Sequence, residues 1–176
     1  MRYTERMSEL VVKKSDFEVP VPSPEVRKFV LLSLGNAENG TYALDIQSVS
    51  EVVQIPPGTK IAPLPHVPPF IRGLFNLRGA LISVTDLLIL LNRASKPYPP
   101  SEKSKLVIIH DEGIQTALIV SESSEVVEVE VSQIKSSLLE ERNEQGSLFQ
   151  GQFAYGEQFI AILSSEALIK RSLMKK

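Results

Sequence analysis

Short β-prone runs, each followed by a turn signal, constrain the fold of this chain more than any other feature. Phe29 to Leu34 is an apolar run, and Thr41 to Ile46 follows it after Asn39-Gly40. Asn-Gly between two such runs predicts a hairpin, because both residues tolerate a positive φ. Two more hairpins are predicted in the second half of the chain, at Asp111-Glu112-Gly113 and at Tyr155-Gly156. The pattern therefore favours a mainly β protein.

The rest of the chain adds strands and few helices. Six prolines between Pro56 and Pro69 predict an extended connection, because proline suits neither a central strand nor a helix. Its expected apolar anchors are Ile61, Leu64, Val67 and Phe70. Residues 47–54 fit either a short helix or a helix that runs into a strand, and the pattern leaves both open. Further strands are predicted at 70–74, 80–84, 106–109, 114–120, 127–131, 149–154 and 158–163, a loop at 134–143, and helices at 86–91 and 166–173.

Nine or ten short strands with three hairpin turns are typical of a β-barrel or a sandwich. Each half of the folded part would have about 70 residues, which is a small core for independent stability. We therefore expect two barrels that share one core. Residues 1–24 are polar and end in a proline-rich run, which predicts a flexible N-terminal tail, and residues 25–176 are expected to form a single domain.

Composition excludes several classes of protein. A net charge of −2 argues against a general nucleic-acid binder, which usually has a basic excess. The absence of cysteine excludes disulfides, thiolate chemistry and cysteine-based zinc sites. Residues 1–20 lack the apolar segment of a signal peptide, and the most apolar run, Gly79 to Leu91, is too short to cross a bilayer. We expect a cytoplasmic protein without direct membrane insertion.

Motifs for catalysis are weak. His66 and His110 are not spaced as a metal pair, and we expect no metal and no cofactor. Gly35 to Gly40 and Gly146 to Gly151 begin like phosphate loops but lack the lysine that follows in such loops. An enzyme, such as a small hydrolase or transferase on a β-barrel, is therefore disfavoured.

Three isolated acids of the first half could support acid–base chemistry only if they converged. Asp86 is expected to cap a helix and Asp45 to face solvent on a strand. Glu51 has apolar neighbours, so it either faces water or meets a cation of a partner. These two alternatives for Glu51 stay open.

Charge is unevenly distributed along the chain. Residues 56–85 contain no carboxylate and carry Lys60, Arg72 and Arg78, a net charge of +3, whereas residues 111–144 carry a net charge of −7. Ordinary solvated faces explain such runs. The alternative is two surfaces of opposite sign that orient different partners.

The stretch from Gly73 to Leu87 carries the strongest functional signal. Asn76 and Arg78 lie between Gly73 and Gly79, immediately before an apolar run, Ala80 to Val84, that is expected to form a buried strand. An arginine offers five donors in a planar fork and is enriched in interface hot spots. Arg78 is therefore either a salt-bridge residue on a loop or a recognition residue, and its position between glycines, before an apolar strand, favours a recognition site on a tight bend.

Ordered motifs resemble a known family. They are Phe29-Val30-Leu31-Leu32-Ser33-Leu34-Gly35, Tyr42-Ala43-Leu44-Asp45-Ile46, Val49-Ser50-Glu51-Val52, Ile61-Ala62-Pro63-Leu64-Pro65, Phe70-Ile71-Arg72-Gly73, Asn76-Leu77-Arg78-Gly79 and Val84-Thr85-Asp86-Leu87. In this order they resemble CheW-like domains, the coupling proteins of bacterial chemosensory arrays. The resemblance spans about residues 27–173. It implies two intertwined five-stranded SH3-like β-barrels with a shared core, short helices and a C-terminal helix.

The resemblance also implies a role and a site. The expected role is a non-catalytic adaptor between the cytoplasmic tips of chemoreceptors and the regulatory domain of a CheA-type histidine kinase. Contacts with other CheW-like domains in rings are also implied. The output would be flagellar chemotaxis or type IV pilus motility. The partner-binding residues implied by the matching motifs are Glu51, Ile61, Gly73, Asn76, Arg78 and Gly79.

The resemblance is specific in the first half and looser in the second, and several residues depart from the family pattern. They are Thr85, Asn92-Arg93, Thr116-Ala117, Ser121 and Leu163-Ser164. A diverged partner surface on one barrel, and hence a dedicated partner, is one expectation. The main alternative is a generic SH3-like module outside chemotaxis. A chain without tryptophan disfavours that module, because its ligand grooves are lined with aromatic side chains.

Overall fold

The computed structural model describes residues 23–34, 40–55, 59–96, 103–136 and 148–173. These residues form ten strands and two α-helices. Their bounds are β1 Val26–Ser33, β2 Thr41–Asp45, β3 Val49–Gln54, β4 Ile71–Leu77, β5 Ala80–Asp86, α1 Leu87–Leu90, β6 Lys105–Asp111, β7 Ile114–Val120, β8 Glu122–Glu130, β9 Phe149–Tyr155, β10 Gln158–Leu163 and α2 Ser165–Leu173.

The strands form two five-stranded sheets, which confirms the mainly β class. Barrel 1 has the strand order β8-β1-β2-β10-β9, and barrel 2 has the order β3-β6-β7-β5-β4. Most neighbouring strands are antiparallel, but β10 runs parallel to β2 and β5 runs parallel to β7.

The two halves of the chain exchange strands. Barrel 1 combines β1 and β2 of the first half with β8, β9 and β10 of the second, and barrel 2 combines β6 and β7 with β3, β4 and β5. Strand n of the first half therefore occupies the position of strand n+5 in the other barrel. Neither half contains a complete barrel, so the two barrels form one interlocked unit.

Strand register shows that this correspondence holds residue by residue. Gly73 pairs with Val84 in barrel 2, and Gly151 pairs with Ile162 at the same place in barrel 1. A Cβ on Gly73 would lie 2.1 Å from the carbonyl oxygen of Ala62, and one on Gly151 would lie 2.7 Å from that of Lys135. Both glycines let an outside segment bridge the edge strand, at Ala62–Leu74 and at Lys135–Gln152.

Apolar side chains form three clusters that match the interlocked barrels. Barrel 1 encloses one cluster that includes Phe29 and Phe153, and barrel 2 encloses another that includes Phe75 and Leu106. The largest cluster lies between the barrels and collects residues from both halves and both helices. The prediction of two barrels around a shared core is confirmed, and burial of this third cluster stabilises their packing.

Local structure resolves the alternatives left open by the sequence. Residues Ile46–Ser48 form a single 3₁₀ turn that runs into β3. Asp86 caps α1, as expected, because its carboxylate accepts a hydrogen bond from the Ile89 amide at 3.4 Å. Ser164 caps α2 in the same way, through the Ala167 amide at 3.2 Å.

Some expectations were wrong. Asp45 does not face solvent as expected: it accepts hydrogen bonds from Arg27 at 2.5 and 3.0 Å and is half-buried. Val131 does not continue the alternation of β8, because the chain turns there into a 3₁₀ turn. Leu64 is exposed rather than an anchor, whereas Phe70 packs against the cluster between the barrels.

Several predictions lie outside the described residues: most of the tail at 1–24, the Asn39 half of the first hairpin turn, and the loop at 137–143. The division into a tail and a single domain at 25–176 stays a prediction. Within the described part of the chain, no helix is long and apolar enough to span a bilayer.

Candidate functional site

The β4–β5 turn is a two-residue hairpin loop made of Arg78 and Gly79. Both residues have a positive φ, 52° for Arg78 and 92° for Gly79. Such a loop suits the twist of the two strands, and glycine fills its second position without strain. A positive φ is uncommon for residues other than glycine, so Arg78 is an unusual residue for this backbone conformation. The predicted tight bend is confirmed.

Arg78 forms an ion pair with Glu51 of β3. Its Nη2 donates a hydrogen bond to Glu51 Oε2 at 2.9 Å. Neither alternative expected for Glu51 included this contact, because the cation that it meets belongs to its own chain. The pair links β4 and β5 to β3, the opposite edge of barrel 2. The Arg78 side chain is 78% exposed and that of Glu51 29%, so the guanidinium is presented at the surface.

Asn76 shapes the turn. Its side-chain oxygen accepts a hydrogen bond from the Gly79 amide at 2.8 Å. Asn76 is exposed at the end of β4, and its amide nitrogen is not used by this bond. The structure thus brings together four of the six predicted residues: Glu51, Asn76, Arg78 and Gly79.

The other two predicted residues, Ile61 and Gly73, meet each other further along β4. Gly73 has a φ of 135°, and the site of its missing Cβ lies 3.1 Å from Ile61 Cγ2. Ile61 is half-buried and packs against the interior cluster of barrel 2. This geometry gives both residues a structural role: they pack the proline-rich connection against β4.

Two apolar residues beside the turn were missed by the sequence reasoning. Leu81 lies opposite Asn76 and is 69% exposed, although the run from Ala80 to Val84 was expected to be buried. Val52 follows Glu51 and is also exposed. Alternation from Leu81 to Val84, where Ile82 and Val84 are buried, is the signal that could have identified Leu81. Glu51, Val52, Asn76, Arg78, Gly79 and Leu81 are called the barrel-2 tip below.

Ion pairs reduce the positive charge of residues 56–85 that is available to a partner. Arg72 donates to Asp86 at 3.0 Å and both side chains are largely buried, while Arg78 is paired with Glu51. Two of the three cations between residues 56 and 85 are therefore neutralised by neighbours. In the acidic stretch Glu128 pairs with Lys28 at 2.8 Å, and this carboxylate raises the pKa of the Lys28 ammonium above its usual range.

Barrel 1 contains a related link. The Tyr155 hydroxyl, at the end of β9, donates a hydrogen bond to the carboxylate of Glu125 on β8. This hydrogen bond to a carboxylate raises the pKa of the Tyr155 hydroxyl, because it favours the protonated phenol. The contact joins the two edge strands of the sheet, as Arg78 and Glu51 do in barrel 2.

Among the described residues, no group of three or more histidine, aspartate or glutamate side chains is arranged to hold a metal ion. His66 lies in the proline-rich connection and His110 at the end of β6. What the barrel-2 tip offers chemically is recognition: a guanidinium, an amide and exposed apolar carbons on a rigid hairpin.

Comparison with known proteins decides the family. The family model described as the CheW-like domain matches residues 28–173, which is most of the chain. The chain belongs to the CheW-like domain family.

Relatives within the CheW-like family include two chemotaxis proteins. The Bacillus subtilis CheW is 34% identical over 90 residues, which cover 51% of this chain and 56% of that protein. The Klebsiella aerogenes CheW is 25% identical over 148 residues, which cover 84% of each chain.

A solved structure extends the comparison to the fold. The scaffolding protein TtCheW of Thermoanaerobacter tengcongensis superposes with a TM-score of 0.67 and 28% identity, over 81% of this chain and 90% of that one. The SH3-like barrels of the CheW-like fold are the two five-stranded barrels described above. Family membership and fold are therefore established by independent comparisons of sequence and structure.

Proposed function

We propose that this protein is a non-catalytic adaptor that couples chemoreceptors to a CheA-type histidine kinase in a bacterial chemosensory system. The observation that carries the proposal is the barrel-2 tip. It presents an exposed guanidinium and exposed apolar carbons on a turn that is held by the Asn76–Gly79 hydrogen bond and by the ion pair with Glu51. Surfaces that combine an arginine with apolar neighbours are typical of protein interfaces.

The proposed partners are the regulatory domain of the kinase and the cytoplasmic tip of the receptor, with other CheW-like domains as further neighbours in rings. The protein would be cytoplasmic and would associate with membrane receptor arrays through these partners. Relatives named as chemotaxis proteins and a scaffolding protein of the same fold support this role. Weak single contacts suffice in such an assembly, because multivalency raises the overall affinity.

Arg78→Glu tests the proposal. Reversing this charge sets two carboxylates against each other at the barrel-2 tip, and we expect at least a tenfold loss of affinity for one of the two partners. Stability should change by less than about 1 kcal/mol, since exposed ion pairs contribute little. Calorimetric titration with the purified regulatory domain and with the receptor fragment, together with urea unfolding, measures both quantities.

The double variant Glu51→Arg, Arg78→Glu is the matched control. It restores an ion pair inside the protein with opposite polarity. If Arg78 contacts the partner directly, the double variant stays defective; if Arg78 only positions the turn, binding returns. Normal partner binding by Arg78→Glu would contradict the role proposed for this tip.

A further inference from the structure

The interlocked duplication places a second surface on barrel 1 at the position of the barrel-2 tip. Val52 pairs with Val107 of β6, and Val126 pairs with Val30 of β1, which occupies the equivalent strand position. The sequence Ser-Glu-Val-Val occurs at both places, at residues 50–53 and 124–127. Glu125 and Val126 are therefore the counterparts of Glu51 and Val52.

The second hairpin completes the correspondence. Leu81 lies opposite Asn76 in barrel 2, and Phe159 lies opposite Ala154 in barrel 1. Leu81 is 69% exposed and Phe159 is 66% exposed. Val52 and Val126 are likewise exposed, at 41% and 51%. A large apolar side chain is thus presented to solvent at the same two places on each barrel.

The charge of the two tips differs. The β4–β5 turn carries Arg78-Gly79, whereas the β9–β10 turn carries Gly156-Glu157. Residues 149–163 contain no lysine and no arginine. Glu125 accepts a hydrogen bond from the neutral Tyr155 hydroxyl, which leaves the negative charge of its carboxylate uncompensated by that contact. The counterpart surface is therefore apolar and acidic.

We propose that Glu125, Val126, Tyr155, Glu157 and Phe159 form a second docking surface, whose partner is a protein segment that sets an aliphatic side chain beside a lysine or arginine. Phe159 supplies the apolar contact, and the two carboxylates attract the cation of the partner. This inference rests on the proposed adaptor function, because it names the second of the two surfaces that an adaptor needs.

An external partner fits the charges better than a second copy of the chain. The equivalent arginine of another copy, Arg78, is already neutralised by its own Glu51. Docking it against Glu125 or Glu157 would require that ion pair to break. A partner with an unpaired lysine or arginine has no such cost.

Titration with a short peptide that alternates leucine and lysine tests the surface by itself. We expect amide chemical-shift changes in the intact protein at Tyr155, Glu157 and Phe159. A matched peptide of leucine and glutamate should not bind, because its charges repel those of the surface.

Three variants separate the contributions. Phe159→Ser should weaken peptide binding at least tenfold, Glu157→Lys should weaken it and flatten its salt dependence, and Leu81→Ser, the equivalent change on barrel 2, should leave it unchanged. These side chains are exposed, so the variants should retain the native fold. Shift changes elsewhere, or equal binding by Phe159→Ser, would overturn the proposal. So would sedimentation showing that wild-type protein self-associates through Phe159.

The natural partners provide a second experiment, beside the peptide titration. Phe159→Ser and Arg78→Glu should each impair a different one of the two partners, the receptor fragment and the kinase regulatory domain. If both variants impair the same partner, the second surface is not separate and the inference fails. If wild-type protein binds neither partner while the peptide still binds at Phe159, the adaptor function fails and the docking surface stands.

Discussion

Arg78 and Gly73 lie in the same short stretch of sequence but have different structural roles. Arg78 is exposed at the turn and has its charge matched by Glu51. Gly73 is buried in β4, and its φ of 135° and the carbonyl of Ala62 leave no room for a side chain. The stretch therefore combines an exposed arginine at the turn with a steric requirement for glycine in β4.

Gly73→Ala is expected to destabilise the protein by about 3 kcal/mol or more, because it adds a backbone clash to an unfavourable φ. Gly113→Ala is the control. Gly113 also has a positive φ, 82°, but open space surrounds the site of its Cβ. Its cost should be only about 1 kcal/mol. Urea unfolding compares the two, and equal losses would show that the contact with Ala62 relaxes freely.

Helix capping operates at the scale of the element and shows the duplication again. Asp86 ends β5 and caps α1, and Ser164 follows β10 and caps α2 at the equivalent position. The two caps differ in charge. Asp86 also accepts a hydrogen bond from Arg72, and its side chain is only 3% exposed. This pair ties the start of β4 to the end of β5.

Asp86→Ala should cost about 3 kcal/mol, since it removes the cap and leaves the largely buried Arg72 without this carboxylate. Ser164→Ala removes a neutral cap and should cost about 1 kcal/mol. Thermal and urea unfolding of both variants measures the difference. A loss no larger for Asp86→Ala than for Ser164→Ala would mean that Arg72 is compensated by other groups.

Hydrogen bonds between side-chain hydroxyls attach α2 to barrel 2. Thr85 Oγ1 and Ser172 Oγ lie 2.9 Å apart, and Thr116 Oγ1 lies 2.9 Å from Ser83 Oγ. Thr85 and Thr116 are two of the departures from the family pattern. Buried hydroxyls need partners, and here they provide them for each other. The departures at Thr85 and Thr116 therefore have a packing explanation, separate from any divergence of a partner surface.

At the scale of the whole molecule, the exchange of strands makes the two halves of the chain depend on each other for folding. Each barrel needs strands of both halves, so the halves are expected to fold only together. A chain split between residues 99 and 100 should give two fragments that are each unfolded alone and that recover β structure when mixed. Far-ultraviolet circular dichroism and urea unfolding of the mixture provide the measurement. A cooperative transition in either isolated fragment would contradict the interlocked arrangement.

Sequence reasoning reached the mainly β class, the hairpins and four of the residues that meet at the barrel-2 tip. Local patterns suffice for these, because positive-φ turns and period-two alternation are written in neighbouring residues. The partner of Glu51 was not accessible in this way. Glu51 and Arg78 are 27 positions apart, and only the curvature of barrel 2 brings their side chains into contact. Leu81 was expected to be buried because it lies in a largely apolar run, from Ala80 to Val84.

The chain by itself determined its family, its short strands and its turns, since those follow from local propensity and ordered motifs. The tertiary structure decided which strands share a barrel. Pairing between distant strands depends on packing across the whole chain, and adjacent sequence carries no record of it. The exchange of strands between halves places Phe159 and Leu81 at equivalent positions on two barrels. That placement turns two scattered apolar residues into two surfaces of different charge.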